Sequence, residues 1–163
     1  MNTALLKELS MYSVVYAEDD EGVSASVSEM LSLLFKNVYI AHDGREAYEL
    51  YQKHQPELII TDIKMPKMSG IELARKIREE NKDIQILIIS AHTEVDYMLE
   101  AVELSLIRYI VKPITEKKLF EALERFLQIQ DNSGVMPLAE GWVYDNTKKC
   151  TIYENEEFEL TKK

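Results

Sequence analysis

Leu58-Ile59-Ile60-Thr61-Asp62-Ile63-Lys64-Met65-Pro66-Lys67-Met68-Ser69-Gly70 changes character twice within a few residues. Leu58–Thr61 is apolar or β-branched without polar alternation, the pattern of a strand covered on both faces. A single carboxylate, Asp62, ends that run. A polar loop with Pro66 follows. Ser69 with Glu72 then resembles a capping box, and Gly70, Leu73, Ala74 and Ile77 recur at helical spacing. The stretch therefore reads as strand, loop and helix, with one acid at the carboxyl end of the strand.

The same unit repeats on either side. Ser13–Ala17, Val38–Ala41, Ile84–Ser90 and Ile107–Val111 are further buried-strand candidates. Amphipathic stripes lie between them: Val23, Val27, Met30, Leu31 and Leu34; Ala47, Leu50 and Tyr51; Leu99, Val102 and Leu106; Leu119, Leu123, Phe126 and Leu127. Asp43 with Glu46 and Thr93 with Asp96 mark helix starts, and Thr115 can cap the last helix. Five β–α units in series predict an α/β fold, a doubly wound five-stranded parallel sheet. Right-handed crossovers favour the order 2-1-3-4-5, the flavodoxin-like arrangement.

From Asp131 the texture changes. Asp131-Asn132-Ser133-Gly134 reads as loop, and Pro137 follows. Trp142–Tyr144, Thr151–Tyr153 and Phe158–Leu160 are short strand candidates separated by polar turns. The expected division is a domain over residues 1–131, a linker over 132–138 and a short antiparallel β tail over 139–163. Such a tail is too small for a core of its own.

Composition narrows the function. The chain has 163 residues with 19 Lys+Arg against 29 Asp+Glu, a net charge of −10. That balance argues against non-specific binding to phosphate backbones. One cysteine, Cys150, excludes a disulfide framework within the chain and fits a reducing compartment. No apolar run reaches membrane-span length and no secretory signal pattern opens the chain, so the expectation is a cytoplasmic protein without membrane contact. Phosphate-binding glycine loops of either common type are missing. His42, His54 and His92 have no metal-ligand spacing with one another or with Cys150.

The polar residues that remain converge. Glu18, Asp19 and Asp20 follow the first predicted strand and Asp62 the third. Ser90 ends the fourth and Lys112 the fifth. All lie at carboxyl ends, where open α/β sheets bind ligands. Carboxylates crowded in one crevice repel, and a hard cation such as Mg²⁺ relieves this. A lone carboxylate beside a cation, a lysine and a hydroxyl suits phosphoryl transfer, with Asp62 the natural nucleophile.

Tyr16-Ala17-Glu18-Asp19-Asp20, the Asp62–Gly70 segment, Ser90-Ala91 and Tyr109-Ile110-Val111-Lys112-Pro113 closely resemble the receiver domain of two-component response regulators, in order and spacing, over about residues 12–130. The resemblance implies that Asp62 is the phosphoacceptor, charged by a sensor histidine kinase. It implies Mg²⁺ held by Glu18, Asp19, Asp62 and the backbone carbonyl of Lys64. Ser90 and Lys112 would contact the phosphoryl group, and the Lys112–Pro113 peptide would be cis. Ser90 and Tyr109 would form the switch that repacks the face made by the fourth helix, fifth strand and fifth helix. Catalysis would be limited to self-phosphorylation and self-dephosphorylation.

Gly141-Trp142-Val143-Tyr144-Asp145, Cys150–Tyr153 and Glu157–Lys163 resemble the opening antiparallel sheet of a winged-helix DNA-binding domain, with Thr161 as the N-cap of its first helix. This implies a transcription-factor output, with DNA reached only through a domain not complete in this chain. The winged-helix subfamily carries acids before the switch tyrosine, where this sequence has Ile107 and Arg108. That subfamily's dimer contacts therefore do not carry over, and a homodimer stays open. Two alternatives remain: a single-domain receiver working by protein–protein interaction, and an aspartate-nucleophile phosphatase. The second usually places its nucleophile after the first strand with another Asp two residues on; here Asp62 follows the third strand and Lys64 holds that position.

Overall fold

The computed structural model describes residues 3–91, 95–139, 142–145, 150–153 and 156–159. The chain divides into two compact units, residues 1–124 and 125–163. The first contains α1 (Thr3–Leu9), β1 (Ser13–Ala17), α2 (Glu21–Leu34), β2 (Asn37–Ala41), α3 (Gly44–His54), β3 (Leu58–Thr61), α4 (Gly70–Glu80), β4 (Gln85–Ser90), α5 (Val95–Glu103), β5 (Arg108–Val111) and the start of α6 (Glu116–Gly134). The sheet is wholly parallel in the order β2-β1-β3-β4-β5. This is the expected flavodoxin-like α/β arrangement.

Strands β1, β3 and β4 are buried almost throughout, which is why their sequences lack alternation. Val15, Ala17, Ile59 and Ile86 on one face pack with Tyr48, Tyr51, Leu73, Ala74 and Ile77 of α3 and α4. Each aliphatic side chain fully buried there contributes roughly 1.5–3 kcal/mol. Helix starts follow the capping chemistry: Asp20 accepts from the Val23 N–H, Asp43 from Glu46 and Ser69 from Glu72. The Lys118 N–H donates to the Thr115 hydroxyl. Thr93 lies outside the described residues.

Three expectations change. Helix α1 carried no sequence signal, yet it buries Leu5 and Leu9. In α5 the expected stripe is displaced in part: Leu99 and Val102 are 57% and 77% exposed, while Tyr97 and Ala101 of the helix, and Leu104 and Leu106 beyond its end, face inward. The cause is the helix end. Ser105 adopts a left-handed φ of 55°, its N–H returns to Val102 O, and the Leu106 N–H returns to Ala101 O at 3.1 Å. This is a Schellman closure formed without glycine, and it takes Leu106 off the helix. Third, the expected loop at 131–134 is the last part of α6, which ends on Gly134.

The second unit continues as four short strands, β6 (Val135–Ala139), β7 (Trp142–Asp145), β8 (Cys150–Tyr153) and β9 (Glu156–Glu159), paired antiparallel in that order. Strand β6 occupies part of the expected linker. It is an edge strand with a register shift between Pro137 and Ala139, and an edge is where a sheet accepts proline. Thr161 and Leu160 lie outside the described residues.

Helix α4 is tied to the far end of α5. Arg75 pairs with Glu100. Arg78 donates to the carbonyls of Leu104 (2.8 Å) and Ser105 (3.3 Å) and also to those of Asn81 and Ile84.

Two glycines set how closely the loop after β3 is held. A Cβ on Gly70 would lie 1.8 Å from the Asp62 carbonyl oxygen, and one on Gly44 would lie 2.1 Å from that of Met68. Both collisions are with backbone, which cannot swing aside. Gly44→Ala should therefore destabilise by roughly 2 kcal/mol or more, as overpacking does, measured by chemical denaturation. An unchanged midpoint would mean the loop is not seated on the start of α3.

Candidate functional site

The ladder continues past three strand ends and thereby fixes the site's backbone. Glu18 N–H donates to Ala41 O, Asp62 N–H to Ala17 O and Lys112 N–H to Ser90 O, at 2.9–3.1 Å. Glu18 and Asp62 are thus held at the carboxyl ends of the neighbouring strands β1 and β3, at the switch point, and Lys112 at the carboxyl end of β5, with β4 between. The Gly70 N–H donates to Ile63 O at 2.7 Å, closing the loop that carries Lys64.

Ligand oxygens of Glu18, Asp19 and Asp62 all lie within 4.8 Å of one another. Glu18 and Asp62 are buried and Asp19 is exposed. Lys112 Nζ lies 2.8 Å from Glu18 Oε2 and 2.9 Å from Asp62 Oδ2. The other Asp62 oxygen, Oδ1, accepts the Ile63 N–H at 2.6 Å, and Glu18 Oε1 accepts the Asp20 N–H at 3.2 Å. Asp62 therefore has both oxygens engaged and a single ammonium serving two acids.

Burial raises the Glu18 carboxyl above its usual range, and the Asp62 charge adds to this; hydrogen bonds from Lys112 and Asp20 only partly offset it. Burial alone would lower the Lys112 ammonium, but its hydrogen bonds to Glu18 and Asp62 outweigh that and hold it raised.

Ser90 is fully buried at the end of β4. Tyr109 is half-buried on β5 and packs against Ile63, Ile71 and Ile88. The Lys112–Pro113 peptide is cis. Lys64 sits in the loop after Asp62 with its side chain exposed. Arg108 pairs with Glu121 of α6 at 3.6 Å, and Ile107 is half-buried. His54 stacks on Tyr39 and His42 lies beside Glu46, so neither approaches the acids; His92 is outside the described residues. Asp20 serves as the N-cap of α2. Sequence reasoning passed over Gly44, and Tyr16 beyond its place in the motif. A lone phenol in an apolar strand was the available signal for the latter.

Two buried carboxylates and an exposed one, all oxygen donors with one side open, form a set that suits a hard divalent cation. Residues 14–124 match the response regulator receiver domain, and the chain belongs to that family.

Relatives agree. An uncharacterized response regulatory protein of Staphylococcus epidermidis is 33% identical over 121 residues, covering 72% of this chain and 47% of the relative. The transcriptional regulatory protein HptR of Staphylococcus aureus is 31% identical over 121 residues with the same coverage. The chain thus spans about half the length of these relatives. Among solved structures, the N-terminal domain of an uncharacterized Wolinella succinogenes protein superposes with a TM-score of 0.70 at 34% identity, covering 75% of this chain and 98% of that one. The CheX–CheY–BeF3–Mg complex of Borrelia burgdorferi gives 0.67 at 25% identity, covering 71% and 89%. Among the described residues, no helix is long and apolar enough to cross a membrane.

The site's electrostatics fix a pH dependence. The folded-state pKa of Glu18 lies above its unfolded value, so its contribution to stability is complete below the unfolded value and is lost as pH rises through the folded one. A cation must compete with that proton. The Mg²⁺-induced rise in melting temperature should therefore be largest at neutral pH and above and shrink as pH falls through the carboxylate range. Glu18→Gln should reduce the rise and flatten its pH profile; a Mg²⁺ effect that is independent of pH in wild type would contradict the Glu18 assignment.

Proposed function

We propose that this chain is the phosphorylation-dependent receiving part of a response regulator, with Asp62 as the phosphoacceptor. The observation that carries the reading is the Lys112 ammonium shared between Glu18 and Asp62, with Asp19 alongside. In the reaction, an Asp62 oxygen attacks the phosphorus of a phosphohistidine on a sensor kinase. The new P–O bond forms as the P–N bond breaks, and the imidazole leaves. Asp62 must first release Lys112, which then pairs with the phosphoryl oxygens instead. Glu18, Asp19, Asp62 and the Lys64 carbonyl would hold Mg²⁺, which when bound neutralises charge on the transferring group.

The phosphoryl group brings about −1.5 to −2 charges to a buried edge. Ser90 would meet its oxygens from the end of β4, and Tyr109 would turn into the space behind. The face of α5, β5 and α6 is the part that changes, and Leu99 and Val102 are already exposed on it. The division we propose is residues 1–131 for the receiver, 132–138 for the connection and 139–163 for the start of an output domain. The transcriptional regulators among the relatives support a transcriptional output; we read it as a winged-helix domain acting on DNA, opened by the antiparallel β6–β9, in a cytoplasmic setting. The reading as an aspartate-nucleophile phosphatase has no comparable support, because Lys64 occupies the position of that chemistry's second acid.

Incubation with acetyl phosphate and Mg²⁺ should add one acid-labile group of about 80 Da, the mass of a single phosphoryl addition. Asp62→Asn should abolish it, and mass spectrometry of both proteins is the check. Equal labelling of the two would sink the assignment, and sustained turnover of a phosphate monoester would favour the phosphatase.

A further inference from the structure

Side chains two residues apart on a strand share a face. Tyr16 therefore points the same way as Glu18, opposite to Val15 and Ala17, which enter the core against α3 and α4. The register carries this across the sheet: Tyr16 pairs with Ile60 and Ala17 with Thr61, so Tyr16 stands one step behind the Glu18–Asp62 pair on the same side. Tyr16 is 1% exposed. Its hydroxyl is buried and has no hydrogen-bond partner. Burial holds the phenol protonated, and the charges of Glu18, Asp62 and Asp20 reinforce this.

A buried hydroxyl without a partner is unfavourable, and phenylalanine would fill the same space without that cost. The resting site explains the missing partner. Glu18 is already served by Lys112 and by the Asp20 N–H. Phosphorylation ends this arrangement: one Asp62 oxygen becomes the acyl phosphate, and Lys112 turns to the phosphoryl group. Glu18, only 2% exposed, then loses the donor at its Oε2 while Oε1 keeps the Asp20 N–H; a cation held through one carboxylate oxygen leaves the other to be satisfied. Among the described residues, Tyr16 is the buried side-chain donor left without a partner.

We propose that Tyr16 is a positioning residue for phosphorylation: its hydroxyl takes up the Glu18 carboxylate when Lys112 is drawn away to the phosphoryl group on Asp62. The inference rests on the phosphoacceptor reading of Asp62. It makes Tyr16 a contributor to one state of the site and not to the other.

The test is Tyr16→Phe, which removes one oxygen. Thermal melts without additives should give a midpoint equal to or above that of wild type. With Mg²⁺ and beryllofluoride as the phosphoryl mimic, the apparent beryllofluoride dissociation constant should rise about tenfold, the loss of one hydrogen bond to a charged group. Glu18→Gln should remove most of that difference between tyrosine and phenylalanine, the mark of coupling in a double-mutant cycle. An equal loss of stability in both states would show a merely structural role, and unchanged beryllofluoride affinity would likewise overturn the proposal. A wild-type protein that takes up neither phosphoryl label nor beryllofluoride would overturn the Asp62 reading itself, and this inference with it.

Discussion

One ammonium holding two buried acids is the constraint on which the rest of the molecule turns. Glu18 and Asp62 lie at the ends of neighbouring strands, shielded from water, and their mutual repulsion would push the edge of the sheet apart. Lys112 arrives from a strand at the other end of the order and satisfies both at 2.8 and 2.9 Å. The pairing joins residues from the first, third and fifth strands. It therefore couples the chemistry to the packing of the whole sheet, and any species that displaces Lys112 alters that coupling.

The surrounding backbone keeps this pairing from being a loose surface contact. Ladder bonds run beyond the strands to Glu18, Asp62 and Lys112. Gly70 lets the start of α4 rest directly on the Asp62 carbonyl, and Gly44 lets α3 do the same for Met68. Lys67, with a left-handed φ of 66°, pairs with Asp43 at 3.5 Å and adds a second contact between the loop and the start of α3. The acids are thus presented by a closely packed backbone, and Lys112 reaches them through its side chain.

Much of this was legible in the residues. Uninterrupted apolar runs located the parallel strands, because burial on both faces removes alternation. Asp43 and Ser69 announced helix starts because a short polar side chain there satisfies free N–H groups. The acids and Lys112 were legible because topology brings strand ends together. Three features were not. Helix α1 lacks a cap signal and buries Leu5 and Leu9. The end of α5 uses Ser105 where glycine would have flagged the turn, so the buried row was misplaced onto Leu99 and Val102. Strand β6 contains Pro137, which reads as a breaker until the strand is known to be an edge. The partnerless hydroxyl of Tyr16 is invisible to sequence, since a strand tyrosine normally finds an acceptor.

The tether between α4 and α5 has a mechanical consequence. Of α5, Ala101 is the one residue buried among those described, so little apolar area anchors the length of the helix. Its C-terminal end is gripped by Arg78 through the carbonyls of Leu104 and Ser105. The helix is built as a cantilever, clamped at one end and lightly seated along its beam. A displacement of its N-terminal end disturbs chiefly the partly buried Tyr97 beside Ile63, Ile71 and Ile88, so travel at the surface costs little of the fold's cohesion.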